Sequence, residues 1–332
     1  MSMLQQELQR IGDLMDRYFE AELAVRQPVN LWQAAYHLPK AGGKRIRPFL
    51  TVTACKALGG DEEDALAPAA AIELIQAFSL VHDDIIDNDD LRRGVPTVHK
   101  KWGIPTAIVA GDLLHIKSYD IVTKAAMKNE RLMKPLPGIL DEINKSTVDI
   151  CEGQELDEEL ERNPLSSERD YLHMISKKTA ALFKCSTVVG ALSAGSSSGS
   201  VELMRRFGDG LGMSFQIVDD ILGLTADERE LGKPVGSDLR EGKRTILVIH
   251  ALAEGSTKER KAILKALGNA RATKRDFAAA AKAIISTGAL EYSKRKAQEY
   301  SDEAKTALLS IPESNERRLL DEVLAFIVER RY

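Results

Sequence analysis

The stretch Ala69 to Val81, AAAIELIQAFSLV, is apolar on most sides and runs almost directly into Asp83, Asp84 and Asp87. A helix that is apolar nearly all round is usually buried. The carboxylates at its end then stand at the rim of a core, not on an open surface. On a helix, Asp83 and Asp87 are one turn apart and share a face. Two carboxylates that close repel unless a cation sits between them. Their hard oxygens suit Mg²⁺, which takes one or two carboxylates plus phosphate oxygens and keeps some water. Arg92 and Arg93 follow, and a guanidinium pair suits phosphate. A solvated acidic helix end could carry the same residues, but the buried approach favours a magnesium-bound phosphorylated ligand.

Elsewhere the pattern is helical and alternating β-branched runs are missing. Apolar residues recur at helical spacing from Leu4 to Phe19, and Ile46 to Leu58 ends at Gly59-Gly60, a helix stop. Helices are expected over 139–160, 166–192 and 201–222, with loops at 87–96, 193–200 and 225–241. Thr273 with Asp276 marks a helix start, and Gly288 a stop. The expected architecture is all-α, a single helical bundle over 1–332. The net charge of −4 gives no basic footprint for nucleic acid. Cys55, Cys151 and Cys185 form no CxxC and indicate a reducing compartment. No signal-peptide core opens the chain and no long charge-free apolar run occurs, so a cytoplasmic protein without a membrane span is expected.

A second acidic pair, Asp219-Asp220 in FQIVDDILG, again ends an apolar run, with Gly223 where the counterpart of Asp87 would stand. Facing carboxylates from two bundle helices are one way to build a metal site in a helical core. Basic residues cluster nearby in sequence: Gly42-Gly43-Lys44-Arg45-Ile46-Arg47 at a helix start, Lys177-Lys178-Thr179 in an apolar helix, and Lys233 and Lys243 around the loop after the second pair. Free N–H groups at a helix start also favour anions. The GxxxxGK[ST] spacing of a Walker loop is absent.

Together GGKRIRP, DDIID, LRRGVPTVH, KKTA, FQIVDDILGLT and GKPVGSDLREGKRT, in this order, resemble the trans-isoprenyl diphosphate synthases, the head-to-tail prenyltransferases. The likeness spans nearly the whole chain and is nearest to short-chain, archaeal-type members. It implies an all-α bundle around a central cavity and a homodimer. It also implies Mg²⁺-assisted condensation of isopentenyl diphosphate with an allylic diphosphate. By this resemblance Asp83 and Asp87, with Asp84 in support, bind magnesium, and Asp219 and Asp220 hold metal on the opposite wall. Lys44, Arg47, Gln76 and Arg93 bind isopentenyl diphosphate; Gln76 stands where the family often has His. Arg92, Lys178, Thr179, Gln216, Lys233 and Lys243 hold the allylic diphosphate. Asp83, Asp87, Lys178 and Asp219 carry the catalytic burden.

Phe78, five residues before Asp83, resembles the geranylgeranyl-type pattern, and Ser79 leaves room that a second aromatic would close. A C20 product is expected over C15 or a mixture. On a helical wheel Ser79 lies about 40° from Asp83 and Phe78 about 140° away, so Phe78 reaches a cavity floor only from the flank. A terpene cyclase would not need Lys44, Arg47 and Arg93, and a non-catalytic partner subunit would have lost part of the set.

Overall fold

The computed structural model describes residues 2–225 and 237–328. Among these the architecture is all-α, and strands are confined to one hairpin, Leu91–Arg92 against Val95–Pro96. The chain divides into two compact units. One comprises Met1–Thr147, Leu182–Gly208 and Ala307–Val323; the other Val148–Ala181, Asp209–Thr306 and Leu324–Tyr332.

The first unit begins with α1 (Met3–Glu22), α2 (Val29–Lys40), α3 (Ile46–Ala57) and α4 (Glu62–Ile86). Next come α5 (Val98–Trp102), α6 (Ile104–Ala126), α7 (Glu130–Met133) and the start of α8 (Leu136–Arg162). Glu62, Glu63 and Asp64 in the first turn of α4 complement the positive end of its dipole. The helix packs most extensively on α6 and α3. Ala69, Ala70, Ala71, Ile72, Leu74 and Ile75 are fully buried, and each large aliphatic side chain so buried contributes about 1.5–3 kcal/mol. The contact with α6 is close. A Cβ on Gly111 would stand 2.3 Å from His82 Nε2. Although α4 is long and apolar enough to cross a membrane by length and composition, 67% of its most apolar window is buried inside the protein.

The segment after α4, expected to be a plain loop, contains the hairpin. Arg93 (φ 54°) and Gly94 (φ 76°) make its two-residue turn with both φ positive, the conformation that matches strand twist. Two-residue strands are too short to show alternation.

The second unit contains the end of α8, then α9 (Glu168–Ile175) and a π-helical turn, Ser176–Ala180. The chain continues as α10 (Ala181–Ser193) and α11 (Ser198–Thr225). The single helix expected over 166–192 is thus interrupted, and the serine-rich loop shrinks to 194–197. Tyr171, Ile217, Ile221, Leu247, Ile263 and Ile284 belong to this unit's apolar core. The expected helix start at Thr273 is a full capping box with Asp276, and Gly288 takes φ 82° as expected of a stop.

Candidate active site

In the first unit the acids gather where α4 ends. Asp84 is buried, Asp83 and Asp87 are half-buried, and Asp87 caps the helix, its N–H donating to the Asp83 carbonyl at 2.8 Å. Arg92, on the hairpin, turns back onto them. Its Nε donates to Asp84 Oδ1 at 2.7 Å and its Nη2 to Asp89 Oδ2 at 3.1 Å, with Asp83 Oδ2 3.7 Å away. Burial pushes Asp84 up to about 6, against the pull of Arg92. The guanidinium expected to hold phosphate therefore supplies positive charge among the carboxylates themselves.

The basic side of this unit is built by the GGKRIRP segment. Gly42, Gly43 and Arg45 all have positive φ, and Arg45 precedes the first turn of α3. A Cβ on Gly43 would stand 2.8 Å from Arg93 Cζ, so the glycine lets the loop close over that side chain. Arg93 Nη1 donates to the Gly42 carbonyl. Lys44 is exposed. Arg47 lies over the Phe183 ring, 4.4 Å from its centroid, and its Nε is buried without a hydrogen-bond partner. Burial pulls the Arg47 guanidinium down to about 10. Between the two sides of this unit's chemistry α4 carries Gln76, half-buried, and Phe78. The Phe78 ring stacks on His115 (centroids 5.0 Å, 23°) and meets His82 edge-on at 5.0 Å. Ser79 Oγ donates back to the Gln76 carbonyl at 3.0 Å.

In the second unit the π turn presents Lys177, Lys178 and Thr179. Such turns often mark functional sites. Lys178 Nζ donates to Asp157 Oδ2 on α8 at 2.6 Å. Thr179 Oγ1 donates to Gln216 Oε1 at 2.7 Å, and Gln216 Nε2 donates to Asp220 Oδ1 at 2.7 Å. The buried Tyr171 hydroxyl donates to Asp220 Oδ2 at 2.7 Å. Asp220 is buried and pushed up to about 8, first by burial and then by Asp238; its two hydrogen bonds oppose the shift. Asp219 beside it is exposed. The acid absent at 223 has a neighbour in its place, because Asp238 Oδ2 lies 2.5 Å from where a Cβ on Gly223 would be. Lys243 Nζ is 2.9 Å from Glu241 Oε2. Lys233 lies outside the described residues.

Each unit thus brings together its own share of the expected residues. Sequence reasoning placed Arg45 in the basic cluster without giving it a role, and missed Glu73, Asp157, Tyr171 and Asp238. A lone charge amid the alanines and isoleucines of α4 was the available signal for Glu73; the others pair with distant residues and leave no local pattern. Among the described residues no group of three or more His, Cys, Asp or Glu side chains is placed to hold a metal ion. The carboxylate oxygens of Asp83, Asp84 and Asp87 at the end of α4 are the hard donors that magnesium takes beside phosphate oxygens.

A helical fold with an acid-tipped core helix, an Arg47 whose buried Nε has no hydrogen-bond partner and a lysine-bearing π turn fits a class that handles polyphosphate esters. The polyprenyl synthetase family model matches residues 28–284. The chain belongs to that family, and it is a trans-prenyltransferase of isoprenoid biosynthesis. It is 44% identical over 325 residues to geranylgeranyl diphosphate synthase of Sulfolobus acidocaldarius, covering 97% of this chain and 96% of the relative. It is 35% identical over 336 residues to geranylfarnesyl diphosphate synthase of Natronomonas pharaonis, covering 96% of each. The crystal structure of geranylgeranyl pyrophosphate synthetase from Pyrococcus horikoshii superposes with a TM-score of 0.91 at 39% identity, covering 99% of this chain and 100% of that one.

Proposed function

We propose that the chain condenses isopentenyl diphosphate with allylic diphosphates, building geranylgeranyl diphosphate as its C20 product. The observation that carries this reading is Arg47: a guanidinium whose buried Nε has no hydrogen-bond partner, on the first turn of α3 just after Lys44 and Arg45. Such a group calls for an anion, and a cyclase would have no use for one here. Lys44, Arg47, Arg93 and Gln76 bind the isopentenyl diphosphate. In the second unit Lys178, Thr179, Gln216, Lys243 and Lys233 are assigned to the allylic diphosphate, and in the first unit Arg92.

In the first unit Asp83, Asp84 and Asp87 are the residues that would hold Mg²⁺, and in the second unit Asp219 and Asp220. When bound, Mg²⁺ would supply positive charge to the departing diphosphate. Each unit also contributes a cation to the leaving group's charge: Arg92 in the first and Lys178 in the second. The apolar flank of α4 keeps water from the carbocation. The isopentenyl double bond then attacks the cation and a proton is lost to the released diphosphate; no side chain is assigned as base. The Phe78 ring, fixed by two histidines, limits the growing chain to C20.

We treat the chain as one domain working as a homodimer in the cytoplasm. The limits of the two compact units fall inside α8, α10, α11 and the helices Ala289–Leu309 and Asn315–Val328, whereas separate domains are normally joined by exposed linkers. Ile104, Ile108, Val109 and Ile116 are exposed apolar residues along α6, with the exposed Asp112 among them, a face that a second copy would cover. The three cysteines are free, as suits a reducing compartment. Incubation with Mg²⁺, isopentenyl diphosphate and farnesyl diphosphate, followed by product chromatography, tests the reading. A C20 product with no activity in chelator is expected; no incorporation with any allylic primer would overturn it.

A further inference from the structure

Arg45 belongs to the GGKRIRP motif yet has no role in the scheme above, and Glu73 stands among alanines and isoleucines with only 4% of its surface exposed. The two are paired. Arg45 Nη1 donates to Glu73 Oε1 at 2.7 Å, while its Nη2 donates to Asp16 Oδ1 at 2.8 Å and to the Pro39 carbonyl at 2.6 Å. The same Glu73 oxygen is 3.8 Å from Arg93 Nη2. One buried carboxylate therefore faces two guanidiniums, each on a different arm of the basic cluster. Arg45 opens α3, which carries Arg47 on its first turn; Arg93 sits at the hairpin turn. Gln76 lies one turn further along α4 from Glu73. Counting Arg47, three guanidiniums meet two carboxylates, which leaves the cluster one positive charge in excess.

We propose that Glu73 is a positioning residue for isopentenyl diphosphate, fixing Arg93 and the Arg45-led start of α3 so that Lys44, Arg47, Arg93 and Gln76 present one preformed anion cradle. This rests on the proposed function, which assigns those four residues to that substrate. The competing role is structural only: Glu73 neutralises Arg45 and leaves the substrate alone. The two roles differ in which Michaelis constant moves. Loss of an ordering contact costs affinity for the group that contact aims at, and not for the other substrate.

The test is steady-state kinetics of Glu73→Gln with each substrate varied in turn, alongside thermal melting. The expected result is a KM for isopentenyl diphosphate raised about tenfold, the loss of one charge-assisted contact, with the KM for farnesyl diphosphate within about twofold of wild type. Removing one partner of a buried ion pair can unfold a protein, whereas replacing both by apolar residues is often neutral. The double variant Arg45→Met, Glu73→Leu is therefore measured as well, and the same selective rise is expected. A double variant with wild-type KM for isopentenyl diphosphate would reduce Glu73 to a counter-ion. Equal rises in both constants, or a fall for isopentenyl diphosphate from the removed negative charge, would also overturn the role. No incorporation by the wild type would instead remove the proposed function, and this role with it.

Discussion

Asp83 stands among like charges at the end of a packed helix. Asp84 is adjacent, Asp87 is one turn on, and the nearest Arg92 nitrogen is 3.7 Å away. Asp83→Ala is expected to lower turnover at least about a hundredfold, while relief of carboxylate repulsion keeps the metal-free melting temperature within a few degrees of wild type. A large drop on melting would contradict this. Phe78→Ala should open the floor beneath the growing chain and give products longer than C20 on chromatography; an unchanged profile would leave Phe78 as a core aromatic only. At this scale the aspartates, arginines and lysines were legible because each motif is local. Tyr171 and Asp157 were not, because their partners Asp220 and Lys178 lie 49 and 21 residues away in sequence. No local spacing encodes such pairs.

Among the elements, the π turn and α8 fit closely. A Cβ on Gly153 would fall 2.2 Å from the Lys178 backbone nitrogen, which no side chain tolerates without a backbone shift. Gly153→Ala is expected to destabilise the protein by about 1–3 kcal/mol and to lower activity more than the melting shift explains, because the displaced backbone carries Lys178 and Thr179. Denaturant unfolding with parallel rate measurements checks both parts. The turn was invisible in sequence because the extra residue leaves the apolar stretches on either side intact, so 166–192 reads as one helix. Capped helices were the easier case: Thr273, Asp276 and Gly288 announce their boundaries through side-chain and backbone chemistry confined to a few positions.

For the molecule as a whole, the all-α class followed from helical periodicity along nearly the entire chain, and family membership from the order of six motifs. The interleaved make-up of the two compact units did not. Which stretches of α8, α10 and α11 cluster together depends on packing, which apolar spacing does not specify. Assembly can be tested on the α6 face. Ile116, 65% exposed, replaced by Glu should convert the proposed dimer to a monomer by size-exclusion chromatography with light scattering; an unchanged mass would place the second copy elsewhere or remove it.

Gly223 gives the sequence the look of a motif worn down by one acid. With Asp238 already projecting into the volume above it, the apparent repair Gly223→Asp would set two anions in one space. That variant should lose activity rather than gain it, and regain it only when Asp238 is trimmed to alanine. Engineers of this enzyme must move those two positions together, as a lock and its key are recut as a set.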